Sequence, residues 1–266
     1  SPAFFHGAGA LRRSARILSG LLLAILALLL VVVLTVFLVL GTSAGSRWAL
    51  SKVPGLQIEQ FTGRLGGRWQ ADRLVWERDG RRVEVASPQM SWSPSCLLRK
   101  TLCIEELVAG DIDLTFPPAL EDEAATEPFN LPDLTLPLEL RVERVDIGAI
   151  NLNGLRQIQG ANLRADWDEQ GLIIRALEVR REDVVLELSG RLQTKADWPL
   201  ALSGSAAIRS PNEQPWAVKF EADGELREHL MVDVQSQGYL EATLSGWVRP
   251  LEPELPANLL LAIERF

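Results

Sequence analysis

Two cysteines, a paired aspartate and one serine motif are the places where this 266-residue chain could do chemistry. Cys96 and Cys103 are its two cysteines, in the run CLLRKTLC. A structural zinc would want four ligands, and His229 is the sole histidine past the N-terminal stretch. A redox pair would want C-x-x-C spacing. An oxidising compartment makes a disulfide the natural reading. Its short loop would contribute about 2–3 kcal/mol on the chain-entropy account. Two reduced, half-buried thiols are the alternative. Asp111 and Asp113 stand at i, i+2, so on a strand both carboxylates share one face. That could hold a metal or be a solvated pair, with Ile112 and Leu114 packing on the other face. Residues 41–45 read Gly-Thr-Ser-Ala-Gly and match G-x-S-x-G. A nucleophile elbow needs a strand before the serine, a helix after it and a histidine partner. Here the motif caps an apolar helix, with His229 the lone candidate partner. No phosphate loop or zinc pattern appears. Neither catalysis nor a cofactor or metal is expected.

The element that positions the rest is the apolar run at residues 21–40, LLLAILALLLVVVLTVFLVL, with Leu21, Leu30 and Leu40 at its start, middle and end. Twenty helical residues at 1.5 Å each cover about 30 Å, the thickness of a bilayer's hydrocarbon. Arg12, Arg13 and Arg16 precede it, while Arg47 and Lys52 are the near cations after it. The positive-inside bias puts the N-terminus in the cytoplasm and the remainder outside, in the periplasm of a Gram-negative-type envelope. A cleavable signal peptide would have a shorter apolar core. The expected organisation is residues 1–16 cytoplasmic, 17–41 an inner-membrane anchor, 42–116 a membrane-proximal β-region, 117–137 a linker and 138–266 further β-structure. Trp48 fits the outer bilayer interface.

After residue 55 the periodicity is two rather than 3.6. Leu138-Glu139-Leu140-Arg141-Val142 alternates strictly, as do Trp216-Ala217-Val218-Lys219-Phe220 and Leu230-Met231-Val232-Asp233-Val234. Asp79-Gly80, Asn153-Gly154 and Asp223-Gly224 punctuate these runs, and such short connections predict antiparallel neighbours. A glycine followed two residues later by an apolar residue recurs at Gly63, Gly190, Gly204, Gly224 and Gly246, which suits a sheet that keeps bending. Residues 116–137, with five prolines and the acidic run Glu121-Asp122-Glu123, read as a mobile linker or insertion. The net charge of −8 argues against nucleic acid. An apolar run at residues 259–263 would leave an open edge, and the chain is expected to be the N-terminal part of something longer.

Alternation demands that each apolar face be covered. A β-sandwich would fill it with its own side chains. A curved, elongated trough would leave it for a guest. Pattern alone leaves both open.

Certain residues carry a family resemblance: Val53-Pro54-Gly55-Leu56-Gln57-Ile58 leading to Phe61-Thr62-Gly63, then residues 69–76 (WQADRLVW), the cysteine pair, and Cys103-Ile104-Glu105-Glu106-Leu107 before an acidic, Pro-rich insertion. Together with the apolar helix they resemble the N-terminal region of the TamB family, within the AsmA-like superfamily. The resemblance covers the helix and about the first 115 residues. Beyond Asn130 it rests on β-patterning. It implies an inner-membrane-anchored β-trough (a β-taco), similar to the bridge-like lipid-transfer proteins, that moves phospholipid toward the outer membrane and reaches a TamA-like outer-membrane barrel. An older view of the family implies assembly of outer-membrane barrels and autotransporters, in a translocation and assembly module. The apolar-phase residues that would line such a groove are Leu140, Val142, Ile147, Leu152, Leu163, Ile174, Leu186, Leu188, Leu202, Ile208, Val218, Phe220, Val232, Val234, Leu244 and Leu261. Ordinary core packing is the other reading of each.

Overall fold

The computed structural model describes residues 8–118 and 131–265, with side chains from Ile25 onward. Helix α1 (Ala8–Gly41) is followed at once by α2 (Ser43–Ser51). Thr42 breaks the helix. Its backbone is extended, and its hydroxyl accepts from Gly45 N at 3.1 Å as the N-cap of α2. Ser43 therefore lies between two helices rather than after a strand, so the elbow geometry does not form. Arg12, Arg13, Arg16 and Leu21 fall in α1 but outside the residues whose side chains are described. The acidic run at 121–123 lies outside the described residues altogether.

Among the described residues, the later regular elements are strands apart from a 3-10 turn at Pro94–Arg99. The short sheet has six strands: β1 (Leu56–Glu59), β4 (Arg73–Arg78), β5 (Arg81–Ala86), β8 (Ile112–Thr115), β10 (Ile150–Leu152) and β11 (Leu155–Ile158), in that spatial order. The long sheet has thirteen. At its near end are β2 (Thr62–Gly63), β3 (Arg68–Gln70), β6 (Gln89–Ser93), β7 (Thr101–Ala109), β9 (Glu139–Ile147) and β12 (Gly160–Asp168). Beyond them, in chain order, come β13 (Gly171–Arg180), β14 (Val184–Leu192), β15 (Pro199–Arg209), β16 (Pro215–Glu225), β17 (Leu230–Gly238), β18 (Glu241–Val248) and β19 (Ala257–Arg265).

The two sheets are wings of one folded sheet. β1 runs into β2, β3 into β4, β5 into β6, β7 into β8, β9 into β10 and β11 into β12. The strand order is the same on both sides of these six corners. The corners make a crease only one or two residues wide, and the ladder continues through it. Ala71 N donates to Pro88 O, Ala86 N to Asp111 O and Ile112 N to Ala149 O. Gln60 and Ser87 turn the corner with φ of 55° and 49°, left-handed values that cost a non-glycine residue local strain. Phe61, Ala71 and Ala149 are buried there. The fold is thus a mostly antiparallel, open sheet and not a closed sandwich.

Short punctuation did not make every neighbour antiparallel. β9 lies parallel to β7 and β10 parallel to β8. A parallel pair needs a long return, and residues 116–138 supply it. The sheet runs on without a break from one side of that linker to the other. Cys96 and Cys103 are disulfide-bonded, with a Cα–Cα distance of 6.0 Å.

On the short wing's polar face, Arg73 bonds Glu84 at 2.6 Å and Glu59 at 3.3 Å, and Arg82 bonds Glu84 and Glu77. The hydrogen bond from Arg73 is the first cause holding the Glu84 carboxyl below its ordinary value of 4.5, with that from Arg82 second. A depressed carboxylate stabilises the fold above its ordinary value, and that contribution is lost as pH falls through the folded-state value. Glu84→Gln should therefore lower the melting temperature at neutral pH, with the gap to wild type closing below about pH 4. A gap that persists unchanged into acid would refute this role.

Candidate functional site

Register fixes which side chains share a face, because directly opposed residues point the same way. On the long sheet this yields four rows that cross ten strands from β7 to β19. One runs Leu107, Val145, Leu163, Leu177, Leu188, Gly204, Phe220, Val234, Leu244, Leu261. A second runs Ile104, Val142, Ala165, Ile174, Gly190, Leu202, Ala222, Val232, Gly246, Leu259. A third passes Leu102, Leu140, Trp167, Leu172, Leu192, Leu200, Gly224, Leu230, Val248 and Ala257. The fourth passes Ala109, Ile147, Ala161, Val179, Leu186, Ala206, Val218, Ser236, Ala242 and Ile263. No charged residue stands in any of them. The Ser236 hydroxyl is occupied, accepting from Trp216 Nε1 at 2.8 Å and donating to Leu240 O at 2.7 Å. At about 4.8 Å per strand the rows extend on the order of 45 Å.

The face is apolar without being covered. Leu186, Leu188, Leu202, Val218, Phe220, Val232, Val234 and Leu244 are all half-buried, and on β19 Leu259, Leu261 and Ile263 are exposed. Val142, Ala165, Leu230 and Ala242 are the buried members of the rows. A filled core would show these side chains fully enclosed.

Every predicted lining residue except Leu152 shares this face; Ile208, opposite Val184 and Trp216, extends it toward the strand ends. Leu152 instead stands on the short wing, beside Leu114 and Leu155. It belongs there to a second apolar face with Leu56, Ile58, Leu74, Trp76, Val83, Val85, Ile112 and Ile150. That wing was missed as an apolar face, as were Trp69, Met90 and Trp92 at the near end of the long sheet, where Trp69 stacks on Phe61 at 5.9 Å. Their signal is a one-residue slip of phase at each corner: Ala109 to Ile112, Ile147 to Ile150, Ile158 to Ala161.

The repeat glycines lie in the same rows. A Cβ on Gly204 would meet Phe220 Cζ at 2.5 Å, and one on Gly246, at φ +151°, would meet Asn258 O at 2.0 Å. They let neighbouring strands close up on the apolar side, as a bending sheet requires.

A cleft of about 740 Å³ crosses β9 to β16, lined both by Leu163, Leu177, Leu188 and Phe220 of the first row and by the polar residues beside them. Those polar residues carry both signs, Asp146, Glu178, Glu187 and Glu221 against Arg144, Arg164, Arg175 and Lys219. Arg175 lies 2.9 Å from Asp166 and also bonds the Val142 carbonyl at 2.9 Å, so this charge is spent within the wall. Asp111 and Asp113 brace the crease. Asp111 Oδ1 accepts from Ala149 N at 3.3 Å and Asp113 Oδ1 from Asn151 Nδ2 at 2.8 Å. Among the described residues, the carboxylates that come together are Asp197, Glu225 and Glu228, within 4.8 Å of one another. The hydrogen bond with Glu228 is the first cause holding the Glu225 carboxyl above its ordinary value.

Among the described residues no single helix is long and apolar enough to cross a membrane. Ile25–Gly41 and Ser43–Ser51 are so when taken together, bent by 96°. No solved structure matches this chain. A family model, the N-terminal domain of TamB, matches residues 31–153 and 120–266, so the likeness runs well past the first 115 residues. With both halves of the folded sheet inside that match, the chain belongs to the TamB family.

Proposed function

We propose that the apolar rows are a conduit for phospholipid acyl chains, and that α1 anchors the conduit in the inner membrane with the sheet in the periplasm. The observation that carries this reading is four rows of apolar residues across ten strands that stay half-exposed. Each methylene of a lipid costs about 0.8 kcal/mol to wet, so a diacyl lipid crosses water very slowly. Along the rows the chains stay in contact with Leu, Val and Phe side chains while the headgroup remains in solvent. No bond is made or broken.

The anchor reading is supported by α1 itself. Leu28 is 65% exposed, Leu29 59%, Leu30 67% and Val31 58%, four consecutive positions that at about 100° per residue point to all sides of the helix. A helix apolar all round with nothing packed on it matches hydrocarbon rather than water.

A second reading, assembly of outer-membrane barrels with a TamA-like partner, is favoured by the near edge of the folded sheet. β1 and β2 are each paired on one side, so that edge could receive a client strand. One experiment separates the two. Photo-crosslinking residues at Leu186 and Val232 should label radioactive phospholipid, and those at Glu187 and Asp233, on the opposite face, should not. Equal labelling of both faces would remove the conduit reading.

A further inference from the structure

The exposed large side chain with least cover on the strand domain is Leu98, 90% exposed, with Leu97 at 41%. Both lie in the 3-10 turn between β6 and β7, inside the loop closed by Cys96–Cys103. A soluble protein gains nothing by fixing a bare Leu-Leu pair with a covalent staple. Arg99 and Lys100 follow directly, and residues 94–101 contain no acid, although the chain as a whole carries −8. Lys100 ends the turn in a left-handed conformation with φ 55°.

The loop is also tied to the end of the membrane helix. Gly66 N donates to Leu40 O at 2.7 Å, and Leu65 N donates to Ser46 Oγ at 2.9 Å. Trp92 Nε1 in turn bonds Leu65 O at 2.5 Å, and its backbone N–H bonds Gly67 O. The 3-10 turn begins two residues after Trp92, and the disulfide loop four residues after it. On α2, Trp48 is 58% exposed with Lys52 over its ring at 5.8 Å, an aromatic–cation pair of the kind that sits at a bilayer surface.

We propose that the disulfide loop is a second membrane contact: Leu97 and Leu98 enter the periplasmic leaflet beside α1, and Arg99 and Lys100 meet anionic headgroups. The inference rests on the anchor reading of α1. Two contacts instead of one fix how the near end of the conduit stands over the bilayer, since a single helix, even with the sheet tied to its end, can still tilt in the membrane. The disulfide holds the turn open against collapse of its leucines onto the sheet.

The test uses the whole chain in vesicles of phosphatidylethanolamine and phosphatidylglycerol, with a photo-crosslinking residue at Leu98, at Phe37 or at Met231. Met231 is 52% exposed on the outward face of β17. Lipid adducts are expected at Leu98 and Phe37 and not at Met231. The Leu98 adduct should fall about five-fold for each charge removed by Arg99→Ser or Lys100→Ser, and likewise when the anionic lipid is omitted. Adducts at Phe37 without any at Leu98 overturn the second contact and leave the anchor standing. Adducts at neither position overturn both. A protein–protein adduct at Leu98 assigns the loop to a second copy and overturns the membrane contact.

Discussion

Replacing Phe220 and Val232 together by aspartate should strip co-purifying phospholipid from the protein while leaving it folded. Both sit in mid-row, one strand apart, on the half-exposed apolar face. A carboxylate facing acyl chains costs on the order of 2–3 kcal/mol, so two should lower lipid occupancy a hundred-fold or more. In the lipid-free protein the same carboxylates reach water, so the melting temperature should move little. Glu221→Ala and Asp233→Asn, on the other face, serve as controls and should keep their lipid. Lipid retained equally by all three variants would show that the rows carry nothing. Lost folding in the double variant would show that they are ordinary core.

The second large effect is on the sheet itself. Gly246→Ala should destabilise by about 2–4 kcal/mol and loosen β19. Its backbone strain accounts for part of this, and the rest comes from a Cβ placed 2.0 Å from Asn258 O, which cannot yield without moving the strand. Gly154 offers the contrast. Its φ is +81°, but nothing lies within 4 Å of an added Cβ, so Gly154→Ala should cost only about 1 kcal/mol. Chemical denaturation measures the difference, and hydrogen exchange along Ala257–Arg265 locates it. Equal costs at the two sites would refute the packing role of the repeat glycines.

Much of this architecture was legible in the sequence. Strict alternation in segments such as 230–234 fixes which residues share a face whatever the sheet does next, and that is why so many expected lining residues fall in the four rows. The choice between sandwich and trough was not legible, because alternation reports a face and not what covers it. The crease was hidden for a related reason. Its corners, Gln60-Phe61, Ser87-Pro88, Gly110-Asp111 and Gly148-Ala149, share no composition and span too few residues to interrupt the pattern. Leu152 was placed with the long sheet on that account. The parallel pairing of β7 with β9 was also hidden, since a Pro-rich acidic stretch gives no direction for the strand that follows it. The cysteine pair was the clearest local signal, because spacing and missing partners left few other uses for it.

From β13 to β19 each strand pairs only with its neighbours in the chain. Such an array behaves like a stack of units whose energies nearly add. Inserting or deleting one hairpin would change its length by about 10 Å without disturbing the crease or the helices. The protein therefore carries its own ruler, graduated in pairs of strands. On the proposed conduit reading, a lineage whose envelope grew wider or narrower could match it by duplication or loss of a stretch of some thirty codons.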